Sequence, residues 1–317
     1  MPLNRPLRVL VTGAGGFVGA RLCRMLAEQR IEVHALTPPW SNTWRLDDAR
    51  SIVRHVVDLR DETAVRDAVI SVRPNVVYSL ASHGAYPHQN DAKRIIETNV
   101  VGLTNLLLAC DHIDYRLLVH TGSSSEYGRK REPMREDDEL SPESVYGVAK
   151  ATQSLLCQQW ARAGGRPIVV FRLFSVYGPF EEPSRLVPRL LVSALEDRPI
   201  AMASPRTSRD FVFIDDVVEA LLRIDELERA SGTIVNLGTG VQTSLAEMVS
   251  TLERICGRPI RAAWHAMPDR PWDTDSWVAN TDRLRQTLPW SPSTVHAGLE
   301  RSMAWFKANR RFYDVEP

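Results

Sequence analysis

The sequence predicts an α/β fold in which a doubly wound parallel sheet is followed by a smaller C-terminal α/β lobe. Through the first 170 residues, short apolar runs alternate with helical patterns, and the apolar runs are nearly continuous. Parallel strands covered by helices on both faces have this composition. After about residue 178 the chain becomes proline-rich and loop-like. We therefore expect a main domain over residues 1–178 and a smaller lobe over 179–317, with the chain crossing between them.

The main domain is expected to contain six strands and four helices. Each strand is a short apolar run, and each helix has apolar residues at helical spacing. The expected strands are Arg8–Thr12, Glu32–Leu36, Ile52–Val57, Val76–Leu80, Leu117–Thr121 and Ile168–Phe171, and the expected helices cover 16–29, 62–71, 91–111 and 145–163. Ligands of such a sheet bind beyond the carboxyl ends of its strands.

The smaller lobe is expected to contain helices near 186–196, 216–226 and 244–256 and a strand at Thr233–Leu237. Five of the eight tryptophans follow residue 260. Large aromatic side chains bury much apolar area, so we expect this lobe to pack on them.

Composition narrows the class of protein. The 317 residues are 44% hydrophobic, with 39 basic and 39 acidic side chains. A balanced chain has no overall field for nucleic acid or an anionic membrane. With no apolar run of about 18 residues and no signal-peptide pattern, we expect a cytoplasmic protein. The four cysteines are widely spaced, which favours reduced core thiols over disulfides or a metal site.

Residues 8–19, RVLVTGAGGFVG, contain the most informative motif. A strand ending in glycines before a helix directs backbone N–H groups and a helix N-terminus to one point, where a pyrophosphate can bind. Gly13 allows the tight turn, Gly16 allows close approach of phosphates, and Gly19 lets the helix pack on the strand. The helix continues through Phe17 and Val18, so these residues predict a dinucleotide-binding domain.

Tyr146 and Lys150 are four residues apart in the expected helix SVYGVAKATQSLL. This spacing puts both side chains on one helix face. A free tyrosine has a pKa near ~10, and a nearby cation lowers it toward the range useful for acid–base catalysis. Ser123, Ser124 and Ser125 follow the fifth strand, where their hydroxyls can hold a substrate oxygen beside a phenol.

The glycine triplet, the serine at a strand end and Tyr-x-x-x-Lys together resemble the extended short-chain dehydrogenase/reductases, in particular the nucleotide-sugar epimerase/dehydratase group. The resemblance runs nearly end to end and implies a Rossmann-type sheet and a C-terminal lobe that binds the sugar nucleotide. Asp58-Leu59 resembles the pair that holds the adenine, and Leu80-Ala81-Ser82 the loop beside the cofactor phosphates. FRLFSVYGP at 171–179 is similar to the segment that borders the nicotinamide, and SRDFVFIDDVVEA at 208–220 to a block whose arginine faces the sugar nucleotide.

The resemblance implies roles for named residues. Cofactor contacts are expected from Gly13, Gly16, Phe17, Val18, Gly19, Thr37, Arg45, Asp58, Leu59, Leu80, Ala81, Ser82, Asn99, Tyr146, Lys150 and Phe174. Substrate contacts are expected from His83, Ser125, Ser175, Arg185, Arg209 and Arg270, with Arg209 the first candidate for the diphosphate because a guanidinium fork suits phosphate oxygens.

The implied mechanism moves a hydride between the nicotinamide and C4 of a hexose. Tyr146 exchanges the proton of the C4 hydroxyl, and Lys150 holds the nicotinamide ribose and lowers the pKa of the phenol. Ser124 is expected to hydrogen-bond the C4 oxygen.

Two positions depart from the family pattern. NAD-binding members usually carry an acidic residue at the end of the second strand, to bind the ribose 2′-hydroxyl. Thr37 stands there and Arg45 follows, which favours NADP over NAD. The YGP segment usually begins with asparagine, and Ser175 takes its place, so the usual contact to the substrate diphosphate is changed.

Three reactions remain open. Glu126 resembles the glutamate that removes the C5 proton in 4,6-dehydratases, but its position directly before Tyr127-Gly128 is similar to 4-ketoreductases. A dissociable NADPH suits a net reductase. We therefore rank an NDP-4-keto-6-deoxyhexose 4-reductase first, a 4-epimerase second and a 4,6-dehydratase third.

Two further expectations concern the whole chain. A non-catalytic dinucleotide sensor is a minor alternative, because such proteins tend to lose the tyrosine or the lysine, and this chain has both. The helices near 91–111 and 145–163 carry apolar residues on more than one face. By analogy with the family we expect a homodimer through a four-helix bundle.

Overall fold

Seven parallel strands form the central sheet of the structure, a computed structural model that describes residues 7–267 and 274–310. The strands are β1 (Arg8–Thr12), β2 (Glu32–Thr37), β3 (Val53–Val56), β4 (Val76–Ser79), β5 (Leu117–Ser123), β6 (Ile168–Leu173) and, later in the chain, β10 (Ile234–Leu237). Their order is β3-β2-β1-β4-β5-β6-β10. The chain order reverses between β1 and β4, which is where doubly wound sheets bind their ligands.

Helices cover both faces of this sheet. They are α1 (Phe17–Glu28), α2 (Glu62–Val72), α3 (Ala92–Ile96), α4 (Gly102–Cys110) and α5 (Val145–Gly164). The core lies in two apolar layers, one on each side of the strands. The predicted doubly wound parallel sheet is therefore confirmed.

The remaining strands build a smaller region, and the remaining helices pack either on it or on the main sheet and its helices. The strands β7 (Ser175–Tyr177), β9 (Ser208–Phe213) and β11 (Gln242–Ser244) form one small sheet, and β8 (Ile200–Ala201) pairs with β12 (Ala262–Ala263). The helices are α6 (Leu186–Glu196), α7 (Ile214–Leu221), α8 (Ile224–Arg229), α9 (Leu245–Cys256), α10 (Asp282–Thr287) and α11 (Val295–Ala308). The division into two domains at residue 178 stays a prediction.

Three elements differ from the expectation. The strand expected in the smaller lobe, β10, instead pairs with β6 in the main sheet. Its four residues are apolar or buried throughout, as in a strand covered on both faces. The expected helix 91–111 is interrupted by a π-helical turn, Glu97–Val101. The expected helix 216–226 is two helices, α7 and α8. Strands β7, β9 and β11 were not predicted, since they are short or contain charged residues.

Within the described ranges, none of the helices combines the length and the apolar composition needed to span a bilayer. Of the same residues, no three histidine, cysteine, aspartate or glutamate side chains form a group suited to a metal ion.

Candidate active site

The turn between β1 and α1 forms a cradle that side chains would fill. Gly13 has a φ of +69°, and a Cβ there would lie 2.6 Å from the backbone nitrogen of Ala81. A Cβ on Gly19 would lie 2.3 Å from the Gly13 carbonyl oxygen. Gly16 precedes α1 and supplies no side-chain cap to the helix that Phe17 begins. Uncapped N–H groups beside a bare backbone fit a pyrophosphate.

The loop after β4 is fixed by two polar side chains. The Thr12 hydroxyl accepts hydrogen bonds from the N–H groups of Leu80, at 3.2 Å, and Ala81, at 3.3 Å. The side chain of Asn99 accepts from the His83 N–H at 2.8 Å and donates to its carbonyl oxygen at 2.9 Å. Asn99 is fully buried in the π-helical turn. It holds this loop in place from behind.

The expected adenine pair lies just beyond β3. Asp58 accepts from the Arg60 guanidinium at 2.8 Å, and the Leu59 carbonyl oxygen accepts from Asn105 at 2.8 Å. Hydrogen bonds from Arg60 help to lower the pKa of Asp58, against the effect of its burial. The carboxylate is therefore held in its charged, accepting form.

At the end of β2, Thr37 is buried and introduces no negative charge. Arg45, expected to face a ribose phosphate, instead donates to the carbonyl oxygens of Phe180, at 2.8 Å, and Gly15, at 3.4 Å. Its guanidinium also pairs with Glu182, and the residue is only 6% exposed. The structure thus gives Arg45 a role in joining the glycine turn to the loop before α6.

Helix α5 carries Tyr146 and Lys150 to the carboxyl edge of the sheet. The Ser144 side chain caps the helix by accepting from the Gly147 N–H at 3.0 Å. Gly147 allows close packing, since a Cβ there would lie 2.7 Å from the Ser125 carbonyl oxygen. The first turn of α5 therefore lies directly against the short turn Ser124–Glu126 that follows β5, which we call the serine turn.

Lys150 is buried and donates to the Thr121 carbonyl oxygen at 2.8 Å. Its Nζ lies 6.0 Å from the centre of the Tyr146 ring. Burial lowers the pKa of Lys150 from 10.5 to about 8, and the negative charge of Glu126 opposes this shift. The ammonium is therefore near its titration point in mildly alkaline solution.

Burial raises the pKa of the Tyr146 phenol, and this effect outweighs those of the Ser123 and Ser82 side chains and of the charge of Arg185, all of which lower it. The expected lowering of the phenol pKa is therefore not found.

The three serines after β5 have different surroundings. Ser123 ends β5, and its hydroxyl accepts from the Ser125 N–H at 3.1 Å. The Ser124 hydroxyl accepts from the Trp277 indole N–H at 3.0 Å. The side chain that acts on the Tyr146 phenol is that of Ser123, and the expected hydrogen bond from Ser124 to the C4 oxygen stays a prediction. The signal for Ser123 was readable in the sequence, because Ser123 and Glu126 have the spacing of a capping box.

Glu126 does not face the open edge of the sheet. It is fully buried and pairs with Arg172 at 2.7 Å, and its carboxylate accepts from the Ser123 N–H at 2.8 Å. Burial raises its pKa, against the charge of Arg172. The expectation that Glu126 meets a substrate carbon is not supported by this placement.

The expected substrate residues lie in the smaller region. Arg209, on β9, donates to the Ser208 carbonyl oxygen at 2.7 Å, and its guanidinium lies 5.2 Å from the centre of the Trp277 ring. Ser175 begins β7, and Arg185 immediately precedes α6. Arg270 lies outside the described residues. Trp277, which links Arg209 to Ser124, was expected only as a core aromatic.

The chain is also similar in sequence and structure to known proteins. The family model for the NAD-dependent epimerase/dehydratase family matches residues 9–238, from β1 beyond β10. The chain belongs to the NAD-dependent epimerase/dehydratase family. The resemblance found in the motifs is confirmed. The chain is an enzyme, and the sensor alternative is set aside.

Individual members of the family are similar over nearly their whole length. The chain is 28% identical to the uncharacterized UDP-glucose epimerase YtcB of Bacillus subtilis, covering 95% of this chain and 98% of the relative. It is 25% identical to the dTDP-glucose 4,6-dehydratase of Neisseria meningitidis, covering 96% and 95%. The crystal structure of UDP-glucuronic acid 4-epimerase from Bacillus cereus, with UDP-glucuronic acid and NAD, matches with a TM-score of 0.83 and 27% identity, covering 95% and 99%.

Proposed function

We propose that this enzyme is a 4-epimerase of nucleoside-diphosphate sugars. The observation that carries the proposal is the placement of Tyr146 beside the buried Lys150, whose Nζ lies 6.0 Å from the centre of the phenol ring and donates to the Thr121 carbonyl oxygen at the end of β5. Relatives named as sugar-nucleotide epimerases support it. On the site geometry and these relatives together, we rank the epimerase above the reductase, which the sequence alone favours.

The residues present fit a nicotinamide dinucleotide. The cradle at Gly13 and Gly19 would hold the pyrophosphate, Asp58 and Leu59 the adenine, and Lys150 the nicotinamide ribose. When bound, the dinucleotide accepts a hydride from a carbon atom and returns it.

The chain's own groups handle the proton and the oxygen. In its phenolate form, Tyr146 takes the proton of the C4 hydroxyl as that carbon is oxidised to a ketone, and the resulting phenol gives the proton back when the carbon is reduced. Ser123 donates a hydrogen bond to the same oxygen. Delivery of the hydride to the opposite face of the ketone would invert C4, with no net change in oxidation state. Arg209 and Arg185 are our candidates for the diphosphate.

A dehydratase fits less well. Elimination of water from C5 and C6 needs a base that reaches the C5 proton. The expected base, Glu126, is enclosed with Arg172 and has no exposed surface. We therefore keep the dehydratase third.

A 4-ketoreductase that uses NADPH is the second candidate, favoured by Thr37. A carboxylate at this position would repel a 2′-phosphate, and Thr37 has none. Because Arg45 is engaged elsewhere and Arg60 pairs with Asp58, the candidate cation is Arg94, whose guanidinium carbon lies 5.3 Å from the centre of the exposed Trp40 ring. Arg94 and Trp40 line a cleft of ≈ 550 Å³.

Binding measurements separate the two cofactors. If the 2′-phosphate is accepted, Thr37→Asp should weaken NADP⁺ binding at least ~10-fold by charge repulsion and strengthen NAD⁺ binding. Thr37→Ser is the matched control and should change neither. Equal NADP⁺ affinity in the Asp variant would remove this second candidate's support.

The decisive assay incubates the purified protein with a panel of NDP-hexoses and follows the products by NMR. A C4 epimer formed without net consumption of cofactor is expected. NADPH oxidation with a 4-keto sugar would instead support the reductase, and loss of water the dehydratase. Tyr146→Phe should lower kcat at least ~100-fold, because a positioned acid–base group contributes that much. Tyr115→Phe, away from the site, is its control.

We also propose that the enzyme is a homodimer. Val101 and Leu108 are seven residues apart along the helical segment that ends in α4, and Val148 and Leu155 are seven apart on α5. All four are substantially exposed, Leu155 by 57%. Apolar residues at this spacing share one helix face, and two copies of this helix pair form the expected four-helix bundle.

A further inference from the structure

Behind the serine turn lies a fully enclosed ion pair that the proposed reaction does not use. Glu126 is 0% and Arg172 2% exposed, and the guanidinium Nε donates to the carboxylate at 2.7 Å. Burying two charges is expensive, and apolar residues of similar volume are often as stable. Stability alone is therefore a poor explanation for the pair.

The surroundings of the pair hold it in one place. A Cβ on Gly122 would lie 2.4 Å from Glu126 Oε1, 3.0 Å from Ser154 Oγ and 3.3 Å from Arg172 Cγ. The absence of a side chain at this position in β5 therefore makes room for the pair. Gly122 thus forms one wall of the cavity that the carboxylate fills.

Arg172 extends the network away from the serine turn. It donates to the Tyr127 hydroxyl at 2.8 Å, and that hydroxyl donates to the Asn236 side chain at 2.6 Å. Asn236 donates to the Met134 carbonyl oxygen at 2.8 Å. The pair is thereby tied to two further segments, β10 and the loop after the serine turn.

Two links lead from Glu126 to the site. Its carboxylate accepts from the Ser123 N–H at 2.8 Å, which fixes the backbone of that serine. The carboxylate also lies against Gly122, the residue after Thr121, whose carbonyl oxygen accepts from the buried Lys150. We propose that Glu126 is a positioning residue that fixes Ser123 and holds a carboxylate beside the strand end that binds Lys150, while Arg172 holds Glu126 in place.

Several charged or titratable groups act on these residues. Besides its burial, Lys150 is influenced by Glu126 and Cys157. Burial lowers the pKa of His120 well below its usual value, and the charge of Lys150 lowers it further. Tyr146 is influenced by Ser123, Ser82, Glu126 and Arg185. Around Glu126 itself lie Arg172, Ser154 and the Ser123 N–H. The groups acting on Lys150 and Tyr146 thus have Glu126 in common.

The direction of the effect follows from these charges. The Glu126 carboxylate raises the pKa of Lys150 and of Tyr146. Glu126→Gln removes this charge, keeps the shape and leaves Arg172 uncompensated. Both pKa values should then fall.

Lysine NMR tests this without substrate. The chain has only four lysines, Lys93, Lys130, Lys150 and Lys307, so ¹³C-lysine labelling of the full chain resolves Lys150, assigned with Lys150→Arg. In Glu126→Gln its pKa should fall from about 8 by at least ~0.5 unit. Glu136→Gln is the matched control, because Glu136 bonds the Asn236 N–H in the same network. It should leave the Lys150 pKa unchanged.

Kinetics test the positioning role, which rests on the proposed function. The pH profile of kcat/KM should move to lower pH in Glu126→Gln. Glu126→Asp keeps the charge but withdraws the carboxylate, so it should lower kcat ~10-fold or more with little change in the profile. Thermal melting confirms that each variant is folded.

The outcomes are distinguishable. An unchanged Lys150 pKa and an unmoved profile in folded Glu126→Gln would overturn the inference. If Glu126→Gln does not fold, Glu126→Asp with a wild-type kcat would overturn it. If the wild type converts no NDP-sugar, the proposed function fails, and the NMR titration still tests the charge that Glu126 supplies.

Discussion

Ser123 and Ser124 are neighbours in the sequence, but their side chains have different surroundings. Both hydroxyls are buried at the end of β5, yet Ser123 accepts from the Ser125 N–H and Ser124 accepts from the Trp277 indole N–H. The carboxyl end of a strand turns each successive side chain to a different direction, so neighbours there meet different partners.

The serine pair provides a prediction at this scale. Ser123→Ala should lower kcat/KM by about 10- to 100-fold through loss of a hydrogen bond to the reacting oxygen. Ser124→Ala should have a smaller effect on kcat, since it mainly leaves the Trp277 N–H without its acceptor. Steady-state kinetics on the same sugar nucleotide compare the two. A larger kcat loss in Ser124→Ala would restore the original expectation.

Lys150 gives a stability prediction that needs no substrate. Its pKa is about 8 in the folded protein and 10.5 as the reference value. Between these two pH values the unfolded chain binds the extra proton, so this residue's contribution to stability rises with pH. Relative to Lys150→Met, the wild type should gain about 2 kcal/mol of unfolding free energy from pH 7.5 to 10. Urea unfolding at both pH values measures the difference, and a constant difference would contradict the lowered pKa.

At the scale of elements, β5 and α5 approach closely because glycines face the contact. Gly122 makes room for Glu126, and Gly147 lets α5 lie on the serine turn. The site thus depends on close packing at Gly122, near the end of β5, and at Gly147, near the start of α5.

Gly122→Ala is the corresponding prediction. The new methyl group would overlap the Glu126 carboxylate, and we expect a loss of about 1–3 kcal/mol, as in other overpacked cores. Gly164→Ala, at the end of α5, is the control, since its methyl group would meet only the side chain of Arg166, at 3.3 Å. Thermal unfolding compares the two variants. Equal melting temperatures would show that the Glu126 carboxylate does not need the space that Gly122 leaves.

For the whole molecule, the exposed apolar faces on the α4 segment and α5 predict the assembly. Leu155→Glu should place a charge in the proposed interface and give a species of about one chain mass by light scattering. Ile70→Glu, an equally apolar exposed position on α2, should leave the dimer intact. A wild type that elutes as a monomer would end this proposal.

The sequence by itself determined the doubly wound sheet, the glycine cradle and the Tyr146–Lys150 pair, because local periodicity and motif spacing are written along the chain. Only the tertiary structure showed that Ser124 accepts from Trp277, that Glu126 is enclosed with Arg172, and that Arg45 joins two loops. Residues 45 and 180 are far apart in sequence, as are 126 and 172, and contacts between distant segments depend on how whole elements pack. The pairing of β10 with β6 in the main sheet likewise joins segments that are far apart in sequence.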